Sequence, residues 1–405
     1  MKKFVMYGAG NIGRGFVGQL FSNAGYKVGF VDINQEVINR LNEDNEYPVN
    51  VVTTNDNIEQ PVKNVYGIDG KDMDAVSEEI ASSDIMATAI GVNVLKFIAK
   101  PIALGLKKRY ERNAPKFNII ICENLIGADE FLKGLVKNEI PELADYVEEN
   151  VGFVEASIGR MVPVMTDEKR AGNFLRVWVE PYNILPVDKA AFKGEIPVVK
   201  NLYPFEPFNL FIQRKLFMHN MSHALTAYLG NLRGYEFIYQ AIADFDIKFV
   251  AYKALMQMAR VLAVENKTEI ADLVYHAENL LYRFTNTALA DTIERVGKDT
   301  KRKLGSNDRL IGALKLAEKH GIEADYLCIG IAAGMLFAPE ADDSSKELSS
   351  YVKENGVGAA LKKYSDYEGK NVALIEKFYG MLVNGSKLKE LSVYCDELSG
   401  KEIRV

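Results

Sequence analysis

The sequence predicts an α/β domain followed by an all-helical domain, and two observations lead to this fold class. Short apolar segments alternate with helical patterns through the first half of the 405-residue chain, the order typical of a parallel sheet covered by helices. A stretch with Pro197, Pro204 and Pro207 then interrupts this alternation, and only helical periodicity follows it. We therefore expect an α/β domain over residues 1–196 and a helical domain over residues 197–405.

The composition is that of an ordinary globular protein, with 48% hydrophobic and 26% charged residues. Its net charge of -6 argues against general nucleic-acid binding. The three cysteines form no CxxC pair, which indicates a reducing compartment rather than disulfides or a cysteine zinc site. No apolar run is suited to a signal peptide or a membrane span. We expect a cytoplasmic protein that binds neither nucleic acid nor membrane.

The predicted elements follow from the apolar spacing. Strands are expected at residues 3–7, 27–31, 49–53, 62–68, 84–90, 118–122, 151–156 and 175–180. Helices are expected between them, ending near residue 24 and at 34–43, 94–110 and 126–137. Later helices are expected at 205–229, 235–265, 268–282, 285–295, 307–319, 325–337, 344–354 and 371–385. The segment 386–405 is expected to be a surface helix and tail.

A glycine-rich turn follows the first predicted strand and opens the first helix. Its residues are Gly8, Ala9, Gly10, Asn11, Ile12 and Gly13. In a G-x-G-x-x-G turn the first glycine allows the tight bend, the second lets the backbone approach a pyrophosphate, and the third lets helix and strand pack closely. Asp32, at the end of the second strand, suits ribose hydroxyls and would repel a 2′-phosphate. We predict a Rossmann-type domain that binds NAD, although a glycine turn of another α/β protein remains the alternative.

Two more predicted strands end in polar or flexible residues. Gly91 opens the kind of turn that passes beneath the nicotinamide ribose, and Glu123 and Asn124 follow the strand at 118–122. Ligands of open α/β sheets bind outside the carboxyl ends of strands, so these residues are well placed for substrate. Asn124 could equally be the N-cap of the helix that follows.

A polar stripe interrupts the apolar helix at 205–229. At about 100° per residue, one side carries Lys215, His219, Ser222 and His223, with Asn220 further round. Buried polar groups are costly unless they have partners or a task. The structural alternative is a lysine paired to a carboxylate, a core histidine and a capping asparagine. The functional alternative is a catalytic helix.

Basic side chains cluster later in the chain. The cluster contains Arg295, Lys298, Lys301, Arg302, Lys303 and Arg309, and only Asp299 and Asp308 oppose it. It is either a solvated loop or a recess for an anionic substrate, because arginine and lysine pair well with phosphate.

With these residues together, the chain resembles the polyol-specific long-chain dehydrogenases, and among them the mannitol-1-phosphate 5-dehydrogenases. The resemblance rests on residues 8–16, on Cys122-Glu123-Asn124, and on K-x4-N-x2-H at Lys215, Asn220 and His223; it runs from Met1 to about Val383. It implies metal-independent, NAD-linked interconversion of D-mannitol 1-phosphate and D-fructose 6-phosphate by a monomer or weak dimer. The substrate contacts that it implies are Asn124, Arg295 and Lys303, with Arg309 in an Asp-Arg pair and Asp188 as an approximate match.

The mechanism expected from this resemblance needs no metal. Lys215 is the candidate base, because burial and neighbouring cations would lower its pKa toward neutrality. Asn220 and His223 would donate hydrogen bonds to the substrate oxygen, and His219 is the rival of His223.

The sequence also departs from the family pattern. Gly159 replaces the usual acid, and the usual tryptophan after Glu180 is missing. Another polyol or a hexuronate of the altronate or mannonate type therefore stays open as substrate. A β-hydroxyacid-type dehydrogenase and an NAD-sensing protein without turnover are the remaining alternatives.

Overall fold

The computed structural model describes residues 1–400 and divides into two compact units. The first is Met1–Phe211, and the second begins at Ile212. The division therefore lies later than the predicted boundary after residue 196. The reason is that Leu202–Phe205 forms a strand that pairs with Leu185–Asp188 of the first unit.

The first unit contains eleven strands. They are β1 (Lys3–Tyr7), β2 (Lys27–Asp32), β3 (Glu46–Val52), β4 (Asn57–Lys63), β5 (Val65–Asp69), β6 (Ile85–Thr88), β7 (Phe117–Ile121), β8 (Val151–Glu155), β9 (Val177–Val179), β10 (Leu185–Asp188) and β11 (Leu202–Phe205). Its helices are α1 (Gly18–Asn23), α2 (Gln35–Asp44), α3 (Met73–Ser82), α4 (Leu95–Glu111), α5 (Ala128–Glu139), α6 (Ala144–Asn150) and α7 (Asp167–Arg170). A π-helix covers Gly13–Val17, and 3-10 turns cover Val92–Val94 and Pro141–Leu143.

Six of these strands form one parallel sheet in the order β5-β2-β1-β6-β7-β8. This is the strand order of a doubly wound dinucleotide-binding fold, with β5 in the place of the third strand. The central strands are buried along their whole length, as the Phe-Asn-Ile-Ile-Ile sequence of β7 shows. Apolar clusters cover both faces of the sheet. The prediction of a Rossmann-type α/β domain is confirmed.

Two small sheets accompany the main sheet. One joins β4, β3 and β9, and the other joins β10 and β11. The single strand predicted at 62–68 is wrong, because Asn64 has a φ of 58° and turns the chain between β4 and β5. Strand β4 belongs to the small sheet with β3 and β9, and β5 belongs to the main sheet.

The second unit is helical throughout residues 212–400. The helices from the end of the first unit onward are α8 (Asn209–Arg214), α9 (Met221–Leu232), α10 (Ile238–Ala243), α11 (Phe245–Asn266), α12 (Ile270–Phe284), α13 (Ile293–Gly297), α14 (Thr300–Lys303), α15 (Ile311–Lys319), α16 (Asp325–Leu336), α17 (Asp343–Asn355), α18 (Val357–Ser365), α19 (Val372–Val383) and α20 (Leu388–Leu398). A π-helix covers Lys215–Asn220, and a 3-10 turn covers Thr287–Leu289. The all-helical prediction for this part of the chain is confirmed.

Apolar residues explain how these helices pack. Eleven of the twelve residues of α16 are buried, so this helix lies at the centre of the unit against α9 and α19. The last helix, α20, is also integral, because Leu391 and Cys395 are fully buried where it packs on α11 and α16. One face of the expected surface helix, with Leu388, Leu391 and Cys395, is thus part of the core, whereas its last residue, Leu398, is exposed. The tail expected after it lies outside the described residues from residue 401 onward. Within residues 1–400, no helix combines the length and the apolarity that a membrane crossing needs.

Candidate active site

The glycine turn after β1 leaves space at one glycine only. Gly8 has a φ of +106°, and a Cβ there would lie 2.4 Å from the carbonyl oxygen of Ala89. A Cβ at Gly13 would lie 2.0 Å from the carbonyl oxygen of Gly8. At Gly10, which is exposed, a Cβ would meet no heavy atom within 4 Å. Gly8 and Gly13 are therefore needed by the fold itself, whereas Gly10 leaves open a surface that a pyrophosphate could approach.

Asp32, at the end of β2, forms a hydrogen bond with the glycine turn. Its Oδ2 accepts a hydrogen bond of 2.8 Å from the amide of Ala9, and its Oδ1 accepts one of 2.9 Å from the amide of Asn34. Each carboxylate oxygen can accept more than one hydrogen bond, so capacity remains for ribose hydroxyls. Asn11 and Ile12, the other residues of the turn, are partly buried.

Two buried arginines hold the helix that the glycine turn opens. Arg14 donates to the carbonyl oxygens of Ala9 and, at 3.2 Å, of Leu175. Arg160 donates to the carbonyl oxygen of Gly15 at 2.9 Å. Burial lowers the pKa of both guanidinium groups to about 10, so both stay charged at neutral pH. Sequence patterns did not identify this support, because it joins segments far apart in the chain.

Glu123 shapes the turn that contains Gly91. Its two carboxylate oxygens accept hydrogen bonds from the amides of Ile90 and Gly91, at 2.9 and 2.8 Å. Gly91 has a φ of +91° and is exposed, with open space where a Cβ would stand. Glu123 is itself buried. It therefore positions the turn, a role that its place after a strand did not reveal.

Asn124 and Asp188 lie at or near strand ends of the first unit. Asn124 is exposed in the loop between β7 and α5, and the N-cap of α5 is Gly127. The alternative that Asn124 caps this helix is therefore wrong. Asp188 ends β10, where its Oδ1 accepts a 3.0 Å hydrogen bond from the amide of Ala190. Burial, and then the charge of Asp129, raise the pKa of Asp188.

The helix that begins at Asn209 and continues through the start of the second unit to Leu232 contains a π-turn at Lys215–Asn220. Residues five apart lie about 140° apart around an α-helix, and this angle is smaller in a π-turn, whose hydrogen bonds join residues i and i+5. The angle between Lys215 and Asn220 around the helix is therefore smaller than α-helical spacing predicts. Such turns within α-helices occur frequently at functional sites.

The polar stripe divides into different environments along this helix. Lys215 and Asn220 are partly buried, and Asn220 makes no capping hydrogen bond, so the capping alternative is wrong. Ser222 is fully buried and donates to the carbonyl oxygen of Met218 at 2.7 Å, which makes it structural. His219 is 8% exposed. Burial, and then the charge of Arg283, lower the pKa of His219 well below its ordinary range.

His223 contacts an aromatic side chain and a carboxylate. Its ring stacks on Phe284, with 4.9 Å between ring centroids and 18° between planes. Its Nε2 lies 3.2 Å from Oδ2 of Asp291, without the geometry of a hydrogen bond. Burial is the main cause that lowers the pKa of His223 to about 3, followed by the charges of Arg295, Lys303, Arg309 and Arg283. His223 is therefore neutral at physiological pH.

Three of the predicted substrate cations lie near His223, since each contributes to its lowered pKa. Lys303 is buried, and its ammonium donates to the carbonyl oxygen of Val296. Burial, and then Arg309, lower the pKa of Lys303 to about 7. Arg309 is mostly buried, and its Nε donates to Asp308 at 2.8 Å. Arg295 pairs with Asp291, although 44% of its side chain is exposed.

The remaining members of the basic cluster face outward. Lys298 is exposed, Lys301 pairs with the exposed Glu347 at 2.5 Å, and Arg302 pairs with Asp299 at 2.6 Å. The alternative of a solvated surface therefore applies to these members, whereas the recess for an anionic substrate stays a prediction for Arg295, Lys303 and Arg309. Asp291 was not among the predicted residues, because no sequence pattern connects it with His223.

Within residues 1–400, no group of three or more histidine, cysteine, aspartate or glutamate side chains is arranged to hold a metal ion.

Both units are similar to domains of known proteins. Residues 2–201 match the mannitol dehydrogenase Rossmann domain, and residues 208–383 match the mannitol dehydrogenase C-terminal domain. Among solved structures, the Pseudomonas fluorescens mannitol 2-dehydrogenase is 18% identical, with 99% of this chain and 95% of that chain covered and a TM-score of 0.74. A D-sorbitol dehydrogenase is 15% identical, with 96% and 95% covered and a TM-score of 0.80. At these identities the structures show the common fold, whereas the domain matches extend over most of the chain. The chain belongs to the mannitol dehydrogenase family.

Proposed function

We propose that this protein is an NAD-dependent polyol dehydrogenase that interconverts D-mannitol 1-phosphate and D-fructose 6-phosphate. The family membership supports oxidation of a polyol. The phosphorylated substrate is the more specific part of the proposal, and it rests on the charges around His223.

NAD is the cofactor, and the first unit has the features that it needs. The open space at Gly10 allows the pyrophosphate to approach the backbone, and Asp32 keeps acceptor capacity for the ribose hydroxyls. The solved mannitol 2-dehydrogenase that shares this fold is a complex with NAD and D-mannitol. When bound, the nicotinamide ring supplies the hydride acceptor.

Lys215 is the proposed general base, with Asn220 and His223 as donors to the reacting oxygen. A neutral amine at Lys215 removes the hydroxyl proton as hydride leaves the carbon. Neutral His223 has one N–H to donate, and the side-chain amide of Asn220, at the end of the π-turn that begins at Lys215, has two. Donors aimed at a developing alkoxide stabilise the transition state without any metal, as the family resemblance implies.

The observation that favours a phosphate is the excess of positive charge near His223. Arg295, Lys303 and Arg309 all act on this histidine, and in the described part of the chain Asp291 and Asp308 are the only carboxylates that form ion pairs with members of the group. No carboxylate within residues 1–400 forms an ion pair with Lys303, and burial, followed by the charges of Arg309 and Arg302, lowers its pKa to about 7 despite Asp299 and Asp308. An anionic group on the substrate would compensate the charged form of Lys303. A neutral polyol would not.

The test is NADH consumption by the purified protein with fructose 6-phosphate, fructose, tagaturonate and fructuronate. We expect the highest kcat/KM with fructose 6-phosphate, and much weaker activity when NADPH replaces NADH. Equal kcat/KM values for fructose and its phosphate would contradict the phosphate assignment, while leaving a polyol dehydrogenase.

A hexuronate is the second candidate substrate. Its carboxylate would also compensate Lys303 and Arg295, and Gly159 stands where the family usually has an acid that would repel it. Preference for tagaturonate or fructuronate in the same panel would select this candidate.

A further inference from the structure

Asp291 joins two groups of the proposed site. One oxygen, Oδ1, pairs with the guanidinium of Arg295, and the other, Oδ2, lies 3.2 Å from Nε2 of His223. The side chain is 10% exposed. A carboxylate this deeply buried is costly unless charged or polar groups surround it, and here both of its oxygens face such groups.

The backbone around Asp291 is fixed from two sides. Its carbonyl oxygen accepts from the amide of Ile238 at 2.9 Å, and the amide of Ile293 donates to the backbone carbonyl oxygen of Glu236 at 2.8 Å. Helix α13 also packs closely on α9, which carries His223, because a Cβ at Gly230 would lie 2.6 Å from Ile293. The segment that places Asp291 beside His223 is therefore held in position by its backbone hydrogen bonds and by the packing of α13 on α9.

The charge of Asp291 distinguishes the two ring nitrogens of His223. A neutral imidazole carries one proton, on either Nδ1 or Nε2, and a nearby negative charge favours the nitrogen that faces it. Nε2 faces the carboxylate but does not form an aligned hydrogen bond with it. The proton on Nε2 thus stays available to another acceptor. Stacking on Phe284 fixes the plane of the ring.

We propose that Asp291 is a positioning residue that keeps the single proton of His223 on Nε2, as a donor for the substrate oxygen, and holds Arg295 at the same time. This inference rests on the proposed function for the role of the donor, but not for the tautomer itself. The pairing with Arg295 has a second effect, because it compensates the carboxylate charge that would otherwise oppose a developing alkoxide.

The first test is spectroscopic and needs no substrate. The chain has 4 histidines, so ¹⁵N-imidazole NMR can assign the tautomer of each one with single histidine variants. We expect His223 to be neutral and protonated on Nε2 in the unaltered protein. Asp291→Ala should shift it towards the Nδ1-protonated tautomer, whereas Glu347→Gln, which removes an exposed carboxylate paired with Lys301, should leave it unchanged. An unchanged tautomer in Asp291→Ala would overturn the proposal.

The second test is kinetic. Asp291→Ala should lower kcat/KM by about 10- to 100-fold, the range known for carboxylates that orient metal-bound histidines. We propose that Asp291 acts through His223 and Arg295. Asp291→Ala should therefore cause little further loss of kcat/KM in a chain that already carries His223→Ala and Arg295→Ala. If Asp291→Ala lowered kcat/KM by the same factor in that double variant as in the unaltered protein, the positioning role would be refuted. Asp291→Asn keeps the shape and removes the charge, and it should lose activity as well if the charge matters.

The two tests separate this inference from the proposed function. If the unaltered protein turns over no polyol phosphate, polyol or hexuronate, the proposed function fails, while the tautomer measurement still decides the effect of Asp291. If activity is present and the tautomer does not respond to Asp291→Ala, the inference fails alone. Thermal unfolding of each variant shows whether the fold is retained.

Discussion

Replacing Gly10 by alanine should weaken NAD binding without weakening the fold. A Cβ at Gly10 meets nothing within 4 Å, whereas a Cβ at Gly13 would lie 2.0 Å from a carbonyl oxygen. Gly10→Ala should therefore change the free energy of unfolding by no more than about 1 kcal/mol, on the stabilising side. Gly13→Ala should destabilise the protein by about 1–3 kcal/mol, because backbone must move to admit the methyl group.

The same methyl group at Gly10 occupies the space assigned to the pyrophosphate. We expect at least about tenfold weaker binding, or about 1.4 kcal/mol. At an NAD concentration 100 times the Kd of the unaltered protein, ligand stabilisation should fall from about 2.7 to about 1.4 kcal/mol. The rise in Tm on adding NAD should then be roughly halved.

Calorimetric titration with NAD and thermal unfolding with and without NAD measure these quantities. Gly134→Ala is the matched control, because Gly134 is exposed in α5 and also has open space at its Cβ position. It should leave the Kd for NAD unchanged. If Gly10→Ala bound NAD as tightly as the unaltered protein, the glycine turn would not be the pyrophosphate site.

Four further predictions concern the second unit. Lys215→Ala should abolish turnover and leave NAD affinity unchanged by calorimetry; an active variant would disprove its role as the base. Arg295→Ala should raise KM for a sugar phosphate far more than for the unphosphorylated sugar, and equal increases in the two KM values would exclude a phosphate contact. His223→Ala should lower kcat by about 10²-fold or more and His219→Ala much less, so the reverse order would transfer the donor role to His219. The pKa of Lys303 is about 7 when folded against an ordinary 10.5, so its burial opposes folding fully below pH 7. The free energy of unfolding should therefore rise with pH between 7 and 10, by at most about 1.4 kcal/mol per pH unit, and Lys303→Met should remove this rise in denaturant titrations.

The fold class could be predicted because its signals are local. Apolar runs of strand length, a glycine turn and a proline-rich interruption each lie within a few residues of sequence. The small sheets could not be predicted in the same way, because β4 is almost wholly exposed and its pairing with β3 buries only Val62 of the strand. The single helix predicted at 285–295 is wrong, because the backbone turns within this segment. Ala290 has a φ of 47°, and Thr292 caps a new short helix, α13.

For the candidate site, the sequence allows predictions that rest on α-helical spacing. This spacing predicts Lys215 and His223 on one side of a helix, but the π-turn at Lys215–Asn220, which changes the spacing, has no pattern in the sequence. The supports of the site were missed as well. Glu123 acts on residues 90 and 91, and Asp291 lies beside His223, through contacts that only tertiary packing creates.

The packing of α20 has a practical consequence for protein production. The domain match ends at residue 383, yet Leu391 and Cys395 beyond it are fully buried, and Tyr326 of α16 donates to the carbonyl oxygen of Ser392 at 3.2 Å. A truncated chain designed to stop at the similarity limit would expose the apolar surface of α16 and lose these contacts. Expression vectors for this protein should therefore retain α20.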